Sequence, residues 1–221
     1  MTTDSTGTPL PFRLTALDRE ILSMSNDEFS PHTWEEIKQI IAENNLHLFK
    51  RWPSDLRRYI KWSAETKAAY GSIPNFVMRE RLRWTPLPSS TAKTGPKFAV
   101  EDPTPFAHEA DYKILINDWP YGLDESIRHM IVWLKTRLES EPTKGDMTPK
   151  SRQQVEQFIQ TNFVNRVKDL PGEEEKVVWF KNWTALQSVP GMEHVHVLVR
   201  DVPDHVIAEW TGGVQSWNVE I

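Results

Sequence analysis

Residues 177–200, VVWFKNWTALQSVPGMEHVHVLVR, set two β-branched runs on either side of a polar connection. In the second run His194, His196, Leu198 and Arg200 alternate with Val195, Val197 and Val199. A pleat of period two therefore turns both imidazoles to one face, about 7 Å apart, and the valines to the other. The valine row predicts a packed face. The opposite face then carries two groups able to attack a phosphorus, shuttle a proton or hold a metal. The alternative for an arbitrary His-x-His is an ordinary half-exposed strand with its polar residues in solvent. Asn182, Gln187 and Ser188 favour the site reading, because pairing of the two runs as a hairpin brings their hydrogen-bonding groups close to the imidazoles.

Upstream the pattern is also β. YKILIND (112–118) reads as a strand closed by Pro120 and Gly122, and IRHMIVWLK (127–135) as a second. Thr148 followed by Pro149 is an N-cap with proline at the first helical position, and Val155, Phe158, Ile159 and Phe163 give that helix one apolar side. An acidic loop, GEEEK, leads back to the opening pair. Strand, strand, helix, strand, strand is an antiparallel α+β unit spanning 111–221. HVIAEW (205–210) is compatible with a final helix or strand, and GGVQSW with a turn before a short terminal strand.

Residues 85–110 contain five prolines and no periodicity, which makes them a linker or an arm crossing a domain surface. Residues 1–84 form a helical region. Thr15 precedes a short helical pattern over 15–23 with Ile21 and Leu22, and Thr33 with Glu36 forms a capping box before Trp34, Ile37, Ile40 and Ile41. Pro53 and Ser54 open a longer helix with Leu56, Tyr59, Ile60 and Ser63 inward and Gly71 as its stop. A third helix follows Pro74, and its Arg79, Arg81 and Arg83 read as solvated surface. His32, His47, His108 and His205 are assigned to the surface.

The 221-residue chain has 38% hydrophobic and 26% charged residues, the balance of a globular protein. Its net charge of −5 supplies no basic field for a nucleic-acid backbone, so its ten tryptophans read as core and packing rather than base-stacking platforms. No apolar run approaches about 18 residues, which excludes a membrane helix. The opening MTTDSTGTPLPF has no basic and apolar leader pattern and reads as a frayed tail. With no cysteine there is no disulfide or zinc ribbon, which suits a cytoplasmic address.

Several separated stretches, in order, resemble the fungal N-acetylglucosamine-induced proteins: EFSPHTWEEIKQIIAENN, PSDLRRYIKW, YGSIPNF, ERLRW, INDWPYG, and the WFKNW, SV and EHVHV pieces of 178–197. The second half also resembles, more remotely, the histidine-triad fold of nucleotide hydrolases and transferases. Asp118 and Pro120 precede the strand Arg128 to Lys135, Met147 and Thr148 stand at the helix turn, and Asn182, Gln187, Ser188 and Val189 precede His194 and His196. Met192 stands where that family has its first triad histidine, and Pro190 with Gly191 resembles an insertion. The resemblance implies an α+β fold with an antiparallel triad-like sheet and a packed helix, and a homodimer formed through the sheets. It implies His194 as nucleophile at phosphorus and His196, Asn182 and backbone N–H groups near Ser188 as stabilisers of the developing charge.

Three functions compete at this stage. The first is a triad-type hydrolase or transferase acting on a small phosphorylated or nucleotidyl metabolite, with His194 and His196 catalytic and Asn182, Gln187, Ser188, Asp118, Trp119, Tyr121, His129 and Lys135 binding substrate; it requires no cofactor. The second is a metal-dependent enzyme holding a divalent ion with His194, His196 and either Asp118 or His129, since Glu193 points away on an ideal strand. The third is a non-catalytic metabolite-binding regulator whose pocket is lined by Trp119, Tyr121, Trp133, Trp179 and Trp183.

Overall fold

The computed structural model describes residues 11–91, 95–142, 145–172 and 175–217. The expected tail at 1–10, the centre of the GEEEK loop and the last four residues lie outside them. The chain divides into two compact units, one of residues 1–83 with 119–124, the other of 84–118 with 125–221. The fold is α+β, with a four-stranded antiparallel sheet.

The first unit is helical. α1 (Ala16–Ser23) and α2 (Trp34–Ala42) each begin in a capping box, in which Thr15 with Asp18, and Thr33 with Glu36, satisfy the exposed N–H groups of the first turn. α3 (Pro53–Tyr70) starts on its proline and ends at Gly71, whose φ of +78° is left-handed. α4 (Ile73–Phe76) runs on through a π-turn, Val77–Leu82. Ile21, Phe29 and Leu56 form a core cluster here. Residues 119–124 pair with the segment before α2: His32 N–H donates to Gly122 O at 2.8 Å and Asp124 N–H to His32 O at 3.1 Å. His32 is consequently buried, not at the surface as the sequence suggested, and Arg81 is buried rather than solvated. Burial and the charge of Lys50 push the His32 imidazole down to about 4, against a smaller opposing pull from Glu36.

The second unit is built on the sheet, with strand order β1-β2-β4-β3 and every neighbour antiparallel. The strands are β1 (Tyr112–Ile116), β2 (Ile127–Leu134), β3 (Val177–Phe180) and β4 (Glu193–Arg200). Val195, Val197 and Val199 share a face with Met130, Val132 and Leu134. That face packs on Val155, Phe158, Ile159 and Phe163, from α5 (Pro149–Ile159) and the π-turn Gln160–Val164 after it. Thr148 caps α5, α6 (Asn165–Val167) prolongs it, and α7 (Asp204–Thr211) settles HVIAEW as a helix whose Val206 and Ile207 join the same core. Residues 85–110 run within this unit, where Phe98 is buried against Trp84 with ring centroids 5.2 Å apart. The buried carboxylate of Asp111 holds this arm by accepting the N–H groups of Glu101 at 2.8 Å and Asp102 at 2.9 Å. Among the described residues no helix is long and apolar enough to cross a membrane.

Candidate functional site

The face of the sheet opposite the valines carries a polar row with one group from each strand or its end. Asn117, just past β1, gives its backbone N–H to His129 O at 2.9 Å, which sets its side chain beside the His129 ring. Ile131 is directly opposite His196, so His129, two residues back on β2, is its diagonal neighbour on the same face. That geometry brings His129 Nε2 to 2.9 Å from His196 Nδ1. Asn182, two residues beyond Phe180, lies with its amide nitrogen 3.2 Å from His196 Nε2, and Gln187 donates its side-chain N–H to Asn182 O at 3.1 Å. The row Asn117, His129, His196, Asn182 thus crosses the sheet in strand order.

A hydrogen bond between two imidazoles needs a donor nitrogen on one ring and an acceptor nitrogen on the other. One proton therefore lies between His129 Nε2 and His196 Nδ1, carried by one ring and accepted by the other. At the other end of the row the Asn117 amide nitrogen lies 3.2 Å from His129 Nδ1, so an amide group faces a ring nitrogen at each end. Phe180, directly opposite His196, stacks on it with centroids 4.6 Å apart and planes 2° from parallel, fixing the ring.

His194 is held differently. Its Nδ1 lies 2.8 Å from Met192 O, and since a carbonyl can only accept, Nδ1 carries the proton and Nε2 the lone pair. Trp133, opposite it on β2, packs at 4.7 Å, and the His194 and His196 ring centroids are 5.2 Å apart. Burial, reinforced by the charge of Lys181, pushes the imidazole down to about 4 despite the opposing bond to Met192. His194 is therefore neutral at pH 7. On the valine side of β4's first residue, Glu193 forms a buried ion pair with Lys181 at 3.1 Å, with Arg137 at 3.9 Å.

The expectation that this face is open is corrected by the structure: His129, His194 and His196 are only 4, 4 and 6% exposed. The reason is their company, because Ile131, Trp133, Val178, Phe180 and Leu198 share the face and are buried too. The signal was present in β2, whose IRHMIVWL is apolar on both faces, the mark of a strand covered on both sides.

The other expected site residues divide. Asn182 and Gln187 lie beside the imidazoles, whereas Ser188 is exposed in the connection. Lys135 pairs with Asp111 at 3.4 Å, and Asp118 accepts the N–H of Trp217 at 2.8 Å. Trp119 and Tyr121 belong to the first unit, with Tyr59 and Phe49 as ring neighbours. Asn117 and Lys181 were not anticipated; Asn117 becomes legible only once β1 and β2 are paired. Among the described residues no three His, Asp or Glu groups converge as a metal site, so the expected set of His194, His196 and Asp118 or His129 is not assembled. The physical reason is that both ring nitrogens of His196 are engaged, one by another imidazole and one by an amide. Two clefts of this unit open elsewhere, and neither is lined by an imidazole.

Sheet, helical cover and buried histidine row define an α+β protein with a polar seam in an apolar sheet face. The family described as protein of unknown function (DUF3605) matches residues 33–200, and the chain belongs to it. It is similar to N-acetylglucosamine-induced protein 1 of Candida albicans, 27% identical over 191 residues that span 83% of this chain and 74% of that protein. An uncharacterized Saccharomyces cerevisiae protein is 25% identical over 187 residues, 83% of this chain and 86% of its own. The crystal structure of a protein called HTC1 shares the fold, with a TM-score of 0.56 at 24% identity over 81% of this chain and 91% of that one. The resemblance to fungal N-acetylglucosamine-induced proteins thus holds at the level of family; the histidine-triad resemblance is not supported by these comparisons.

Proposed function

We propose that this chain is a nucleophilic-histidine enzyme, a hydrolase or transferase of histidine-triad type, acting on a small phosphorylated or nucleotidyl metabolite. The observation that supports it is the state of His194: with Nδ1–H given to Met192 O and the imidazole neutral at pH 7, the lone pair lies on Nε2. Nε2 attacks phosphorus, the bond from phosphorus to the leaving oxygen breaks with its electron pair, and that oxygen takes a proton from water. Water, or an acceptor hydroxyl, then attacks the same phosphorus, loses its proton to solvent and breaks the phosphorus–nitrogen bond. Asn182 supplies an amide beside the imidazoles for the charge that develops on the phosphoryl oxygens. The test is mass spectrometry of the protein mixed with a panel of nucleoside and sugar phosphates, alongside turnover measurements. A phosphoryl or nucleotidyl adduct on His194, with turnover abolished in a folded His194→Ala variant, is the expected result; full turnover in that variant, or no adduct and no turnover across the panel, overturns it.

The burial of all three imidazoles favours a second reading, in which the row is an internal brace of a non-catalytic metabolite-binding protein. In that case the panel raises the melting temperature without adduct or turnover.

A further inference from the structure

The second unit has a cleft of about 380 Å³ between the arm residues 104–107 and the helical residues 154–162. Its lining includes Thr104, Phe106, Gln154, Gln157, Phe158 and Asn162, and none of its lining side chains is charged. The size falls within the range of about 300 to 1,000 Å³ usual for small-molecule sites. Both walls are fixed in place. On the arm side, the buried Asp111 carboxylate holds the backbone of 101 and 102, and Asp102 in turn accepts the N–H of Thr104 at 2.7 Å. Phe106 follows with a φ of +68°, a left-handed conformation that a phenylalanine rarely adopts, and its ring stacks on Phe158 at 4.4 Å. On the helix side the chain widens into the π-turn Gln160–Val164, a feature that recurs at functional sites. There Asn162 gives its amide to Phe158 O, and its own carbonyl accepts the Trp210 indole at 2.9 Å. Strain kept in Phe106 and a π-turn meeting at one cleft are two independent local departures from the cheapest backbone.

The chemistry of the lining selects the ligand. With no cation present, phosphates and carboxylates find no counter-charge, and with no anion, amines find none. Amides and hydroxyls both give and accept hydrogen bonds, matching a molecule rich in hydroxyl groups, while the half-buried Phe106 ring offers an apolar contact for a C–H face. We infer that this cleft binds an uncharged sugar, a single pyranose ring, separately from the chemistry proposed at His194.

The experiment is a titration of the full chain with D-glucose and methyl β-D-glucopyranoside, followed by the side-chain amide resonances of Gln154, Gln157 and Asn162 in two-dimensional NMR. Glucose 6-phosphate and gluconate serve as charged controls. Saturable shifts of these amides with the neutral sugars, at least tenfold weaker with the charged ones, are expected. Gln157→Ala should weaken binding by roughly tenfold, and Phe106→Ala should abolish it with the rest of the spectrum retained. His194→Ala should leave it unchanged, so failure here is distinguishable from failure at the histidine. Absence of saturable shifts up to tens of millimolar sugar, equal response to the charged controls, or unaltered binding in both cleft variants overturns the inference.

Discussion

Acidification should weaken the second unit through His194 in a way that one substitution removes. The imidazole is held at about 4 in the folded protein against an ordinary value of 6.5. Below about pH 6.5 the unfolded chain takes up this proton and the folded chain does not, so stability falls as pH falls; near pH 4 the folded form protonates as well and the difference saturates. At about 1.4 kcal/mol per unit the whole window amounts to roughly 3 kcal/mol, with about 2 kcal/mol already lost by pH 5. Urea unfolding followed by tryptophan fluorescence measures this at half-unit steps. His194→Asn keeps a side-chain N–H for Met192 O but cannot titrate. A constant offset in stability between the two is immaterial, and what matters is the slope: between pH 6.5 and 4 the parent should lose about one proton's worth more per unit than the variant. Groups common to both, His32 among them, cancel in the comparison. Equal slopes, or a His194 ring resonance that titrates near 6.5, would refute the assignment of a neutral buried imidazole.

Three further outcomes follow from the geometry. Burial alone would raise the Asp111 pKa, but the N–H groups of Asp102 and Glu101 and the Lys135 ammonium outweigh it and leave it lowered. Its contribution to stability is therefore present above about 3.8 and lost as pH drops through the lower folded value. Asp111→Asn should cost about 1–3 kcal/mol and speed hydrogen exchange at the amides of Glu101 and Asp102. Gly122→Ala should destabilise the first unit by about 1–3 kcal/mol in a melting experiment, since an added Cβ falls 2.5 Å from Phe29 Cζ and 3.2 Å from the Trp52 backbone nitrogen, which cannot turn aside. His129→Leu removes the group facing His196 Nδ1 and should cost about 1–3 kcal/mol, with the cross-strand contacts between β2 and β4 broadened in NMR; a sharp, unshifted spectrum of undiminished stability would count against the row as a structural element.

Much of the fold is written locally and is readable for that reason. Thr33 with Glu36, Thr148 before Pro149, and Gly71 each act through a hydrogen bond or a φ angle within one turn, so the helix starts and stops follow from the residues themselves. The alternation in EHVHVLVR likewise assigns the faces of β4 without reference to any other strand. What was not legible depends on partners far along the chain. His129 and His196 are 67 residues apart and meet only because β4 inserts between β2 and β3. The order of chain segments does not announce that insertion, and the engagement of Lys135 by Asp111 and of Asp118 by the Trp217 backbone has the same character.

The polar row also does something the valines cannot. Sliding β4 past β2 by one residue would turn every side chain to the wrong face and is excluded by the core. Sliding it by two restores the alternation: Val195 would face Met130 or Leu134 instead of Val132, an aliphatic contact of similar worth. Under that slip, however, His196 leaves its diagonal position to His129 and its place opposite Phe180. The present contacts of His196 with His129, Asn182 and Phe180 would then be given up in an apolar face, where each unsatisfied polar group costs about 1–3 kcal/mol. The hydrophobic pattern selects the face, and the row of Asn117, His129, His196 and Asn182 selects the register. The same register sets the His194 ring against Trp133, directly opposite on β2.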